Sequence, residues 1–158
     1  MENLTTLERA IRLQKVELFS DLETSMLALL ASIASQVEVK RGEVLVEQNH
    51  PLRTLYVVLS GTIEMSRSGR TMFRVGADET IGNWALFDEQ PSVVTATALD
   101  DTSLLRIERE DFYDLLADHS EMTREMFQAL FKRVRSLLTK GLGTAPLPSP
   151  PPGERTSG

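Results

Sequence analysis

The stretch Ile81-Gly82-Asn83-Trp84-Ala85-Leu86-Phe87-Asp88-Glu89-Gln90-Pro91-Ser92-Val93-Val94-Thr95-Ala96-Thr97-Ala98 decides how the rest of the chain is read. It opens on a glycine, passes through a short apolar run, turns at Pro91 and continues as a β-branched run. That pattern predicts a one-turn helix from Gly82, then a turn, then a strand. A helix start at Gly82 would present free backbone N–H groups and the positive end of a helix dipole, which together suit a small anion. The plain alternative is a buried corner of the fold. Trp84, the only tryptophan, is expected to pack against the sheet or a neighbouring helix; the sharper reading is a stacking partner for a ligand base or another protein.

Outward from this stretch, the upstream chain is first helical in period and then alternating. Leu4, Leu7 and Ile11 recur at helical spacing, with Glu8, Arg9 and Arg12 opposite. Val16 to Leu22 reads as an apolar elbow with Phe19 plugging the core. Met26, Leu27, Leu30, Ile33 and Ala34 mark a second helix, beginning either through a Ser20–Glu23 capping box or at Thr24. From Gln36 the period becomes two. Strands are expected around Val37–Val39, Val44–Glu47 and Thr54–Leu59, with turns at Arg41-Gly42, Gln48–Pro51 and Ser60-Gly61. Thr62–Ser66 and Thr71–Val75 flank Ser68-Gly69 as a hairpin. Asp100-Asp101 turns the chain into a strand over Ser103–Ile107.

Helical period returns with Phe112, Leu115 and Leu116. A longer helix follows, N-capped by Ser120 and ended by Gly141. Met122, Met126, Leu130, Val134 and Leu137 line one of its faces, and Phe127, Phe131 and Leu138 widen it. Residues 141–158 are Pro-rich, with few core-forming side chains, and read as a disordered tail or linker.

Composition narrows the function classes. The 158 residues suffice for one domain with a real core. A net charge of −6 sets the surface against a nucleic-acid backbone. No cysteine is present, so disulfides and thiolate metal sites are excluded and a reducing, cytoplasmic setting is expected. No apolar run approaches the ~20 residues of a membrane span. His50 and His119 lack metal-ligand spacing, no hydrolase or nucleotide-loop motif occurs, and Asp100-Asp101 is a turn signal. No catalytic or metal site is therefore expected.

The central stretch resembles the phosphate-binding cassette of cyclic nucleotide-binding domains, written F-G-E-x-A-L followed by P-R-x-A-T. Gly82, Ala85, Leu86, Pro91 and Thr95 match that pattern. Asn83 stands where the family has the glutamate that accepts a ribose hydroxyl, and Ser92 where it has the arginine that pairs with the cyclic phosphate. The resemblance runs from about Thr6 to Leu138, through Val16-Glu-Leu-Phe19, Arg41-Gly-Glu-Val44, Leu55–Gly61 and Leu105–Phe112. It implies an α+β fold: an eight-stranded jelly-roll-like β-roll over about 36–107, with helices over about 3–34 and two C-terminal helices over about 109–140, making one domain of residues 1–140.

As ligand-binding residues the resemblance implies Gly82, Asn83, Trp84, Ala85, Leu86, Ser92, Val93 and Thr95, and as ligand cAMP, cGMP or another small anion. Arg70 and Arg74 are candidate substitutes for the missing cation, or else solvated strand arginines. The function expected is a non-enzymatic regulatory or sensor module with weakened or lost ligand binding. Two alternatives stand beside it: a ligand-free interaction domain of a larger regulatory or membrane protein, and the N-terminal part of a transcription regulator. A homodimer through the C-terminal helix is the expected assembly, and an effector, attached or separate, the expected partner.

Overall fold

The alternating segment becomes eight strands in the computed structural model, which describes residues 2–142. They are β1 (Ser35–Val39), β2 (Val44–Val46), β3 (Thr54–Ser60), β4 (Ile63–Arg67), β5 (Arg70–Val75), β6 (Thr80–Ile81), β7 (Thr95–Ala98) and β8 (Thr102–Glu108). They form two four-stranded antiparallel sheets, ordered β1-β8-β3-β6 and β2-β7-β4-β5. Helices α1 (Thr6–Gln14) and α2 (Thr24–Ile33) precede the sheets, joined by a 3-10 turn over Glu17–Phe19. Helices α3 (Arg109–Asp118) and α4 (Ser120–Leu142) follow. This is the α+β roll the sequence implies. Residues 143–158, most of the expected linker, lie outside the described residues. Among the described residues no helix is long and apolar enough to cross a membrane.

Two cores explain why β3 and β8 are nearly all apolar. Leu55, Val57 and Leu59 of β3, with Leu105 and Ile107 of β8, face the helices and meet Phe19, Leu30 and Phe112. Val58 and Leu104 face the other way, into the roll, with Ile63, Met65, Ile81 and Ala96. A strand buried on both faces loses the alternating pattern. Phe19 is fully buried, as the elbow reading expects. Burying each such side chain contributes about 1.5–3 kcal/mol.

The β4–β5 hairpin turns through Ser68 (φ 52°) and Gly69 (φ 80°), the left-handed pair that a two-residue hairpin favours. A bulge at Met72 follows, since Met65 pairs with Phe73 but Ser66 with Thr71. The two-residue strand β6 is too short to show any periodicity in sequence.

Three local expectations are corrected, and one open alternative, the start of α2, is decided. Leu7 (67% exposed) and Ile11 (50%) face solvent, and α1 docks instead through Ala10 and Leu13. What it docks on is partly polar: Arg9 donates to the Ala34 carbonyl at 2.7 Å and Arg12 to Asp78 at 2.7 Å, so the charged face is the inward one. Second, α1 is capped by a Thr5–Glu8 box, whereas no box forms between Ser20 and Glu23. The Ser20 hydroxyl donates to the Glu17 carbonyl, and α2 starts at Thr24. Third, Ser120 is already the first residue of α4. Fourth, Gly141 does not end α4, which continues to Leu142; one glycine lowers helix propensity by only about 1 kcal/mol.

Candidate functional site

Residues 82–95 leave the roll at the end of β6 and return to it as β7. Ile81 pairs with Tyr56 of β3 and is buried, which anchors the departure point. Gly82 then adopts φ +84°, and a Cβ there would lie 2.5 Å from the Thr54 carbonyl oxygen. Both the dihedral and the close approach require glycine. The expected helix is instead a run of overlapping turns over Asn83–Phe87. Ala85 N–H donates to Gly82, and Phe87 and Asp88 N–H both donate to Trp84, at 2.7–3.0 Å. Pro91 and the Asp88–Gln90 turn, in which the Asp88 side chain accepts from Gln90 N–H, cut the helix short.

Within this run the side chains divide by depth. Ala85 and Leu86 are buried, Leu86 against the helix-side core. Asn83 and Trp84 face out, Trp84 at 75% exposure, so the expected packing of Trp84 on the sheet or a helix is not found. The backbone N–H groups of Asn83 and Trp84 donate to nothing among the described residues.

The two positions that depart from the family pattern are occupied by their own surroundings. Asn83 Oδ1 accepts from the Thr80 hydroxyl. Ser92 Oγ donates to the Val94 carbonyl at 2.7 Å and accepts from Val94 N–H, closing a local turn. Ser92 is also laced by its backbone to the β2–β3 loop: Asn49 N–H donates to Ser92 and Ser92 N–H to His50. Thr95 Oγ1 accepts from Gln48 N–H at 2.9 Å, and Val93 is exposed. All eight expected residues therefore lie on one continuous excursion, but Asn83 Oδ1, Ser92 Oγ and Thr95 Oγ1 are each already bonded to the protein.

Two residues that the sequence reading did not single out hold this excursion in place. Arg109, the first residue of α3, donates to the carbonyls of Ala85 (2.6 Å) and Asp88 (2.6 Å) and more weakly to Leu52 (3.4 Å). A signal was present, since a cation at a helix N-terminus opposes the helix dipole and needs another reason to be there. Gln48 takes Ser68 N–H of the β4–β5 turn on its side chain while its own N–H serves Thr95. Nothing in the sequence marks that role.

Electrostatic perturbation here is slight. Burial pushes the Tyr56 phenol above its ordinary range, partly offset by the Arg106 guanidinium across the sheet. No group of three or more His, Cys, Asp or Glu residues suited to a metal occurs among the described residues. A groove of about 640 Å³ beside Arg109 is lined by Glu89, Glu108 and Glu110 as well as Arg53. Three carboxylates outweigh Arg53 and Arg109 and make it a poor anion site, and of the 82–95 excursion it meets only Glu89.

The profile of the cyclic nucleotide-binding domain matches residues 36–119. A CRP-like cAMP-activated global transcriptional regulator of Mycobacterium tuberculosis is 24% identical over 128 residues, covering 78% of this chain and 57% of that protein. A cAMP-dependent protein kinase regulatory subunit of Debaryomyces hansenii is 25% identical over 122 residues, covering 76% of this chain and 27% of its own. The chain thus spans about half or less of these relatives. Among solved structures, the N-terminal domain of a transcriptional regulator from Streptomyces coelicolor superposes with a TM-score of 0.74 at 30% identity, covering 80% of this chain and 94% of that one.

Proposed function

The chain belongs to the cyclic nucleotide-binding domain family, and from that premise we propose that it is a non-enzymatic sensor module whose residues 82–95 bind a cyclic nucleotide weakly. The observation that carries this reading is the pairing of a kept backbone with diverted side chains. Gly82 retains the left-handed turn and the Asn83 and Trp84 N–H groups stay unclaimed, while Asn83 and Ser92 spend their polar atoms on Thr80 and Val94. Backbone N–H groups recognise a phosphate without a cation, but a missing charge-assisted contact removes about 1.5–3 kcal/mol, at least tenfold in affinity. Calorimetric titration with cAMP and cGMP tests it. A dissociation constant in the high micromolar range is expected, and no saturable heat with either nucleotide would reject the reading.

Assembly through α4 is a second part of the proposal. Its inner face is sealed by Met122, Met126 and Ala129, yet Phe127, Phe131, Val134, Leu137 and Leu138 are 45–70% exposed on the adjoining face. Phe127, Phe131, Val134 and Leu138 follow the four-three-four spacing of a coiled-coil seam. Pairing with a second copy covers that stripe. Sedimentation equilibrium at tens of micromolar should give a dimer that Phe131→Asp dissociates, and a monomeric parent chain would reject it.

A further inference from the structure

Arg67 and Arg70, at the tip of the β4–β5 hairpin, stand directly opposite one another. Like charges at a cross-strand pair destabilise a sheet. Neither guanidinium has an ion pair or a hydrogen bond among the described residues, and both are exposed. Some arginines elsewhere are paired, Arg9 on backbone carbonyls, Arg12 on Asp78 and Arg133 on Glu17, whereas Arg53 and Arg74 share the unpartnered state; the like-charge cross-strand pairing is what sets Arg67 and Arg70 apart.

Strand alternation aims the pair. Ile63 and Met65 belong to the core inside the roll, so Arg67, two residues on, opens on that same inner face, and Arg70 opposite shares it. Arg74 pairs with Glu64 on the outer face, beside an opposite charge. Of the two cations the sequence offers as substitutes, strand register therefore puts Arg70 at an inner-face position and Arg74 at an outer-face one, and adds Arg67.

The neighbouring strand locates the pair relative to the site. Met65 pairs with Ala96 and Ser66 with Thr95 of β7. Arg67 follows Ser66 where this register ends, at the point where β7 emerges from the turn that Ser92 closes on Val94. Gln48 fixes that proximity by bonding the hairpin turn at Ser68 and the Thr95 hydroxyl together. We infer that Arg67 and Arg70 supply the counter-charge for the phosphate of a nucleotide held by residues 82–95, replacing the cation that Ser92 lacks. The phosphate in turn relieves the repulsion between the two guanidinium groups. This rests on the sensor reading above.

Calorimetric titration of the full chain with cAMP and cGMP tests it, comparing R67Q, R70Q, the charge-keeping R67K and the outward R74Q. R67Q and R70Q should each weaken binding about tenfold, the scale of one charge-assisted contact. R67K should stay near the parent chain, and R74Q should change affinity by less than about twofold, as a solvated surface charge does. The ligand-free thermal midpoint of R67Q should be unchanged or higher, because a like-charge neighbour has gone. Parent-level binding by both R67Q and R70Q overturns this inference and leaves the sensor reading intact. A parent chain that binds neither nucleotide overturns both.

Discussion

Arg109 Nε donates to the carbonyl of Ala85 at 2.6 Å, joining the first residue of α3 to a turn 24 residues earlier in the chain. The same guanidinium reaches the Asp88 carbonyl, and the Arg109 backbone N–H donates to Arg53. One side chain thereby holds the 82–95 excursion, the β2–β3 loop and the start of the C-terminal helices in a fixed relation.

Arg109→Ala should therefore destabilise the fold by about 2 kcal/mol, the scale of hydrogen bonds to a charged donor. Urea denaturation measures that loss. Hydrogen exchange should show faster amides across Asn83–Asp88 with little change in β3 or β8. A lysine offers a single point donor instead of a planar fork, so Arg109→Lys should recover less than half of the loss.

Gly82→Ala should be among the most damaging small substitutions. A left-handed dihedral contributes about 1–3 kcal/mol of strain for a residue with a Cβ, and here that Cβ also meets the Thr54 carbonyl at 2.5 Å. Thermal unfolding should show the loss. A midpoint within a degree or two of the parent would mean that the turn relaxes freely.

Restoring the family's polar pair should restore affinity. Asn83→Glu with Ser92→Arg is expected to tighten cyclic nucleotide binding by about 2–5 kcal/mol, the range in which close charged contacts are lost by truncation. Ser92→Arg should provide the larger share, since the hydroxyl it replaces only closes a turn on Val94. Asn83→Glu alone should give no gain, because an isolated carboxylate repels the phosphate. Trp84, largely exposed beside the turn, offers a fluorescence readout. An unchanged dissociation constant in a folded double variant would show that the backbone of the excursion is not ligand-competent.

Acid stability should depend on Asp78. A hydrogen bond from Arg12, with further help from Lys15, holds its carboxyl below the ordinary carboxylate range. A depressed folded-state pKa adds stability that is present above the unfolded value near 3.8 and is lost as pH falls through the folded value. Asp78 is about one-third exposed, so solvent screening keeps the contribution to at most ~1 kcal/mol. Asp78→Asn should lower stability at pH 6–7 by that small amount and converge with the parent as pH falls through the folded value. Divergence of the two curves at low pH would contradict the assignment.

Much of this protein was legible in its sequence because the cues are local and periodic. The apolar runs of β3 and β8, the Ser68-Gly69 turn and the buried Phe19 each follow from short-range pattern, and the α+β roll follows from the resemblance to the cyclic nucleotide-binding domain family. Gly82 announced the special turn at the start of the excursion. Errors arose where two local solutions were nearly equal. Helix α1 could bury either Leu7 and Ile11 or Ala10 and Leu13, and the deciding partners, the Ala34 carbonyl and Asp78, lie 25 and 66 residues away from the arginines that reach them.

The site itself divides along the same line. Sequence determined which residues form the excursion and that its glutamate and arginine are absent. Tertiary structure alone decided that Asn83 and Ser92 turn to Thr80 and Val94, that Trp84 faces out, and that Arg109 clamps the turn. Only strand register could separate Arg70, opposite Arg67, from Arg74, opposite Glu64. The physical reason is that periodicity records how often a side chain meets the core, whereas the aim of a polar side chain depends on which distant carbonyl, hydroxyl or charge folding brings within reach.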